Sequence, residues 1–318
     1  MKGESEKMED NKHGILLESG TNEIEVMKFT IGGNLFGINV AKVKEIMISA
    51  PVKPMPHAHP SVEGIFKPRD MVITVVDLPQ YLGAESPKGE KDIFIITNFN
   101  KMYIAFRVHA VDRISRISWT DISKPDKTVS GGAESVATGI AQCEGELVTI
   151  LDFERIVAEI APETSIQISE VEQMGPRDRN DRPIWVAEDS ALLSKMIENS
   201  LRKANYVNLR MFPNGQELWD ALSVLPADHE LEQDVALIIT DIEMPQMDGH
   251  RLTKLVKESG SRFKEVPLVI FSSLISEEMR LKGKDLGADE QLTKPEIGHL
   301  VDVMDHLLEQ FDRRHGRG

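Results

Sequence analysis

Four short apolar runs in the second half of the chain each end in polar side chains. Ile184-Trp185-Val186-Ala187 runs into Glu188-Asp189, and Val235 to Thr240 runs into Asp241, with Glu243 two residues on. Leu268 to Phe271 runs into Ser272-Ser273, and Gln291-Leu292-Thr293 into Lys294-Pro295. Continuous apolar runs of this length are buried strands of a parallel sheet. In such a sheet the functional cleft lies beyond the carboxyl ends of the strands. Glu188, Asp189 and Asp241 gathered at one mouth repel each other, so together they require a cation. Hard oxygen ligands suit Mg2+, which keeps some of its waters and accepts a phosphoryl oxygen. With its charge neutralised, Asp241 is a nucleophile for phosphorus. Lys294 offers positive charge to the phosphoryl oxygens and Ser272 a hydroxyl donor. The expected chemistry is phosphoryl transfer to Asp241 from a donor such as a phosphohistidine, a reaction that depends on positioning and charge. Each residue alone has a commoner explanation: a helix cap, a turn or a solvated charge. Asp248-Gly249 is expected to be only a turn and helix start. It is the co-occurrence of the four features, in chain order, that points to chemistry.

The elements that must position these groups alternate. Leu193, Met196, Ile197, Leu201 and Ala204 lie at helical spacing, Val207 to Phe212 follows as a strand, and Gln216 to Leu222 as a helix. Leu252, Leu255 and Val256 mark the helix after Asp241, and Glu277 to Leu286 the one after Ser273. Leu300, Val301, Met304, Leu307, Leu308 and Phe311 form a final amphipathic helix. This succession predicts a doubly wound α/β fold: a five-stranded parallel sheet covered by helices on both faces, over residues 183–318.

The first half reads differently. Met27, Phe29 and Ile31 alternate with polar residues, Gly32-Gly33-Asn34 supplies a turn, and Phe36 to Val40 returns as the hairpin partner. Ile93 to Thr97 and Met102 to Val108 flank a second hairpin turn. Ala41 to Met47 is the one short helical piece expected. Gly64-Ile65 leads to Ile73-Thr74-Val75-Val76-Asp77-Leu78, and Gly139-Ile140 leads at the same spacing to Val148-Thr149-Ile150-Leu151-Asp152-Phe153, an internal echo of two like β units. Short strands with turn signals predict an all-β domain, a barrel or sandwich arrangement, over residues 22–163. Residues 1–21 are an N-terminal segment and 164–182, polar and Pro-rich at its edges, a linker; within it Ile166 to Val171 fits a helix or a strand.

The net charge of −15 disfavours binding to nucleic acid or anionic lipid. No stretch approaches the roughly 20 apolar residues that span a bilayer, and the charged start Met1 to Asn11 lacks an apolar export segment, so a cytoplasmic location is expected. Cys143 is the only cysteine and is expected in the core. His57 and His59, set among prolines, are expected in a loop rather than on a metal, and the basic stretch Arg313 to Arg317 is expected to be solvated. The chain beyond Phe311 is too short for a DNA-reading helix pair, which argues against a transcription factor.

Ile184 to Asp189, Thr240-Asp241-Ile242-Glu243-Met244-Pro245-Gln246-Met247-Asp248-Gly249, Phe271-Ser272-Ser273 and Thr293-Lys294-Pro295 resemble the receiver domain of bacterial response regulators. The resemblance covers about 181–311 and implies a flavodoxin-like fold. By it, Asp241 is the phosphoacceptor, Glu188 and Asp189 help hold Mg2+, and Glu243 lends its backbone carbonyl to the metal. Ser272 is the switch hydroxyl and Lys294 the family's lysine. The family places Tyr or Phe three residues before that lysine; here Gln291 stands there.

Gly37-Ile38-Asn39-Val40, Val43-Lys44-Glu45-Ile46, Pro54-Met55-Pro56, Gly64-Ile65 through Arg69 and Val75-Val76-Asp77-Leu78 resemble the CheW-type coupling domain. That resemblance implies two small β-barrels bridging methyl-accepting chemoreceptors to the histidine kinase CheA, with Arg69 and Glu45 at partner contacts. Asp70 and Thr74 stand where that family has glycine and proline. A coupling domain followed by a receiver is the architecture of the CheV family, whose start Gly14 to Asn22 also resembles. The expectation is an adaptor at cytoplasmic receptor arrays, neither inserted in the membrane nor bound to nucleic acid, regulated by phosphorylation and catalysing only its own phosphorylation and dephosphorylation. One alternative is a phosphate sink for CheA. Another, an aspartyl-phosphate hydrolase, lacks the usual second Asp, because Glu243 holds that position.

Overall fold

A computed structural model describes residues 23–314, except 70, 85–87, 90, 100–101, 124–135, 163–164, 227–230, 274 and 276. The N-terminal segment, including Gly14 to Asn22, therefore lies outside the described residues, as do Asp70 and the end of the basic tail.

The first half is β-rich. Its strands are β1 (Glu23–Ile31), β2 (Asn34–Asn39), β3 (Val43–Ile48), β4 (Val62–Phe66) and β5 (Ile73–Asp77), then, after helix α1 (Leu78–Tyr81), β6 (Ile93–Phe99), β7 (Met102–Val108), β8 (Ala110–Ser118), β9 (Ile122–Ser123), β10 (Ala137–Cys143) and β11 (Glu146–Leu151). Helix α2 (Phe153–Ile160) closes the domain. The strands form a six-stranded sheet ordered β8-β1-β2-β11-β10-β9 and a five-stranded sheet ordered β3-β6-β7-β5-β4. Gly32 and Gly33 both take positive φ, the requirement of the two-residue turn that joins β1 to β2. The alternating strands bury three apolar clusters. Phe29, Phe106 and Phe153 anchor the one between the sheets, Val26, Cys143 and Val148 fill the second, and Phe66, Val75 and Phe94 the third. Cys143 is thus the core residue expected of it.

The internal echo is structural. In both β4–β5–α1 and β10–β11–α2 an antiparallel pair carries a register shift at its glycine, Gly64 or Gly139, and runs into a helix capped by an aspartate. Asp77 accepts from the Gln80 N–H at 3.0 Å and Asp152 from the Arg155 N–H at 2.9 Å. Gly64 has φ +143°, and a Cβ there would stand 2.1 Å from the Lys53 carbonyl oxygen. The bridge of Lys53 to Ile65 holds that backbone in place. Gly64→Ala is expected to destabilise the chain by about 2–4 kcal/mol, from backbone strain and overpacking. The urea midpoint reads this, and an unchanged midpoint would contradict it.

The helix expected over Ala41–Met47 is corrected. Val40–Lys42 makes a single 3-10 turn, capped by the Asn39 side chain, and β3 follows, paired antiparallel with β6 from Val43↔Thr97 to Ile48↔Ile93. Val43, Ile46 and Ile48 are β-branched, and β6 offers an open edge for pairing, which outweighs the helical spacing of so short a segment.

The second half has strands β12 (Ile184–Ala187), β13 (Leu209–Phe212), β14 (Leu237–Thr240), β15 (Leu268–Ser272) and β16 (Glu290–Thr293). Its helices are α3 (Ile168–Gln173), α4 (Ala191–Lys203), α5 (Gly215–Ser223), α6 (Leu231–Asp234), α7 (Gly249–Lys257), α8 (Glu277–Asp285) and α9 (Ile297–Arg314). All four strand pairings are parallel, in the order β13-β12-β14-β15-β16. This is the expected α/β doubly wound sheet, and its order reverses between β12 and β14, the switch point where such sheets place their cleft. Ile166 and Val171, from the segment expected as a linker, lie in this second core, so the open choice there resolves to helix α3. Arg177 ties the rest of that segment to Asp305 on α9. Among the described residues no helix is long and apolar enough to cross a membrane.

Candidate phosphorylation pocket and its cover

β12 and β14 are buried along their whole lengths and deliver Glu188, Asp189 and Asp241 to the same edge. Backbone bonds fix the ends: the Glu188 N–H donates to the Phe212 carbonyl at 2.9 Å and the Asp241 N–H to Ala187 at 3.0 Å. One oxygen from each of the three carboxylates lies within 4.8 Å of the others. Lys294, buried after β16, donates to Asp241 at 2.7 Å and stands 2.9 Å from Glu188. The other Asp241 oxygen accepts from the Ile242 N–H at 2.6 Å. Ser272 is buried at the end of β15, at the same mouth.

Asp248 caps α7, accepting from the Arg251 N–H at 2.7 Å, as expected of a helix start. Gly249 does more: a Cβ there would stand 1.9 Å from the Asp241 carbonyl oxygen, so only glycine lets this loop close behind Asp241. Gln291 is buried and donates to the Arg280 carbonyl at 2.7 Å, tying β16 to α8. It packs so closely on Gly283 that a Cβ there would meet the Gln291 amide oxygen at 2.4 Å.

The pocket is covered by the first domain, through residues that sequence reasoning did not single out. Phe153, Ile156 and Val157 of α2 are buried in the core between the two β sheets, while Glu154 faces the receiver half. The Glu154 carboxylate accepts from Lys294 at 3.2 Å, Ser273 at 2.8 Å and Lys42 at 3.1 Å. Lys42 also pairs with the Glu243 side chain at 3.3 Å. Asp152, besides capping α2, accepts from Ser190 Oγ at 3.0 Å, and Ser190 is itself the cap of α4. A narrow cleft at this boundary is lined by Phe99, Glu154, Ser273 and Lys294, among others.

Two ammonium groups thus face six carboxyls: Asp152, Glu154, Glu188, Asp189, Asp241 and Glu243. Burial alone would lower both lysines. The carboxylates outweigh it and raise Lys294, through Asp241, Glu154 and Glu188, and Lys42, through Glu154 and Glu243. Burial would raise Glu154, but Lys294 and Lys42 hold it well below the usual carboxylate range. The rest are left short of positive charge. Burial, then the Asp241 charge, pushes Asp189 up to about 8. Glu188 rises through burial and the charges of Asp241 and Asp189, despite Lys294. Burial pushes Glu243 up to about 7 against the pull of Lys42. Glu188 and Asp189, both raised, meet Asp241 around one point, and such a cluster forms a site for a hard divalent cation, so the donor set fits Mg2+.

The coupling-domain residues singled out from sequence stand apart from this pocket. Glu45 and Arg69 are exposed and 3.9 Å from each other. Nearby chain segments expose Ile46, Ile48, Met55, Met71 and Val72. His59 accepts from the Ser61 N–H at 3.2 Å and exposed His57 takes positive φ, so both serve a turn. Arg313 pairs with Glu309 and Arg314 with Glu265 at the surface.

Residues 25–161 match the CheW-like domain family, and residues 184–305 match the response regulator receiver domain family. Three relatives come from Helicobacter pylori. Chemotaxis protein CheV3 is 28% identical over 304 residues, 91% of this chain and 96% of its own length. Chemotaxis protein CheV1 is 25% identical, covering 91% of this chain and 94% of its own length. Chemotaxis protein CheV2 is 27% identical, covering 90% and 95%. A CheW-like domain, a receiver domain behind it and similarity over about 90% of the chain to three CheV proteins together make this chain a member of the CheV family of chemotaxis coupling adaptors.

Proposed function

We propose that the chain couples methyl-accepting chemoreceptors to the histidine kinase CheA and is regulated by phosphorylation of Asp241. In this reading residues 22–163 are the coupling domain, 164–182 the connection and 183–318 the receiver, and the protein works in the cytoplasm at receptor arrays. The single observation that carries it is the meeting of Glu188, Asp189 and Asp241 around one point, with Lys294 at 2.7 Å from Asp241. Mg2+, held by these carboxylates and the Glu243 backbone carbonyl, would offset the charge of an incoming phosphoryl group. An Asp241 carboxylate oxygen attacks the phosphorus of a phosphohistidine, the P–N bond breaks, and the imidazole leaves with the electron pair. Lys294 and the Ser272 hydroxyl bind the transferred oxygens. The chain catalyses this transfer and then the hydrolysis of its own acyl phosphate, in which water releases inorganic phosphate and restores the Asp241 carboxylate, without turnover of another substrate. Arg69 and Glu45 are proposed at the partner contacts; their exposure beside Ile46, Ile48 and Met71 supports a binding face.

The test is a reconstituted receptor–CheA mixture with no competing phosphoacceptor, comparing the chain with its Asp241→Asn variant. Kinase output that differs between the two supports regulation of coupling. Equal output, with label still draining to Asp241, would show a phosphate sink instead.

A further inference from the structure

We propose that the coupling domain competes from within the chain for the receiver's phosphorylation pocket, with the Glu154 carboxylate standing where the oxygens of a phosphoryl group on Asp241 would bind. The inference rests on the reading of Asp241 as phosphoacceptor. Glu154 has three donors, Lys294, Ser273 and Lys42, at 2.8–3.2 Å. A phosphoryl group on Asp241 needs the same kind of cradle, and Lys294 already touches both Asp241 and Glu154. The loops that shape the pocket are all held by the first domain: Ser190 after β12 by Asp152, Glu243 after β14 by Lys42, Ser273 after β15 by Glu154, and Lys294 after β16 by Glu154. Asp152 caps α2 and Glu154 sits on its first turn, which Phe153 pins to the core between the sheets, so the cover moves only as a rigid body with its domain.

The acyl phosphate on Asp241 carries about −1.5 to −2 charges at neutral pH in place of the single charge of the free carboxylate. Placed beside the desolvated Glu154, it repels that carboxylate and takes Lys294 from it. Docking of the first domain and occupancy of the pocket therefore oppose each other, and the opposition is reciprocal. Docking slows phosphorylation; phosphorylation releases α2 and Lys42 and uncovers the face they occupy.

The test uses the full chain with Mg2+ and acetyl phosphate as donor. Glu154→Gln removes the competing charge and keeps the shape. It is expected to acquire the Asp241 acyl phosphate on the order of tenfold faster than the parent, within the usual span of coupling between sites. Lys42→Met loosens the same clamp from the other side and is expected to act in the same direction. Hydrogen exchange on the unsubstituted chain gives a second readout: adding beryllofluoride with Mg2+ is expected to speed exchange at the first amides of α2, and Asp241→Asn to block that change. A parent labelled at the same rate as both variants would overturn the proposal. So would pocket amides that respond to beryllofluoride while α2 stays protected. A parent that takes no label and whose pocket amides ignore beryllofluoride would overturn the phosphoacceptor reading itself, and the competition with it.

Discussion

Lys294→Met is expected to lower the unfolding free energy of the full chain by about 3–5 kcal/mol, the scale for removing one partner from a buried ion pair. Lys294 has 2% of its side-chain surface exposed and pairs with Asp241, Glu188 and Glu154 at 2.7, 2.9 and 3.2 Å. Methionine fills much of the same volume, so the loss is electrostatic and little cavity forms. Lys42 would then be the one cation left among the eight charged groups described around the pocket, and it is placed on Glu154 and Glu243, away from Asp241. The same substitution removes the side-chain cation that reaches Asp241 and would bind the transferred oxygens, and it is expected to slow phosphoryl transfer on the order of a hundredfold or more, the scale for a preorganised donor at a developing charge. Denaturant unfolding and labelling from acetyl phosphate read the two effects. A stability change within 1 kcal/mol, the range of an exposed pair, would contradict the buried network.

The second large effect is a pH-dependent stabilisation by Mg2+. At an ion concentration about a hundredfold above its Kd, the unfolding free energy is expected to rise by about 2.7 kcal/mol at pH 8.5, with a much smaller gain at pH 5.5. Asp189, near 8, and Glu188 lie above their ordinary values in the folded chain, chiefly through burial. Between the unfolded and folded values the folded chain binds more protons, so without the ion this contribution to stability is present at low pH and is lost as pH rises toward 8. Glu154 has the opposite sign: its contribution is present above the ordinary carboxylate range and is lost only in strong acid. Mg2+ must displace the protons on Asp189 and Glu188, so its affinity rises with pH and restores what alkaline conditions remove. Thermal melts with and without Mg2+ at the two pH values test this. Equal stabilisation at both, or the same stabilisation in Asp189→Asn, would place the ion elsewhere.

The receiver half was legible because its signals are local. A parallel sheet is buried on both faces, so β12, β14 and β15 appear as unbroken apolar runs, and the residue after each run falls at the cleft. Glu188, Asp189, Asp241, Ser272 and Lys294 all reach that edge as their positions require. The segment Ala41–Met47 misled because a few apolar residues fit both periods, and only pairing with β6, about fifty residues on, decides between them. Helix α3 was equally ambiguous until Ile166 and Val171 found the second core. The cover over the pocket was invisible for a stronger reason: Glu154 meets Lys294 across 140 positions, and no local pattern records that. One faint signal existed. In the internal echo Glu154 falls where the first unit has buried Pro79, so the second unit carries a charge where the first keeps an apolar residue. Gln291 was legible as a departure, but its fit against Gly283 and its bond to Arg280 depend on how α8 packs.

The most direct measurement of whether Asp241 accepts phosphorus is reductive trapping. The chain is incubated with phosphorylated CheA and Mg2+, treated with borohydride, which converts an aspartyl phosphate to homoserine, and mapped by peptide mass spectrometry. Homoserine is expected at position 241 alone, and none in Asp241→Asn or without Mg2+. Homoserine at another aspartate, or unmodified Asp241 after phosphate has left CheA, would contradict it.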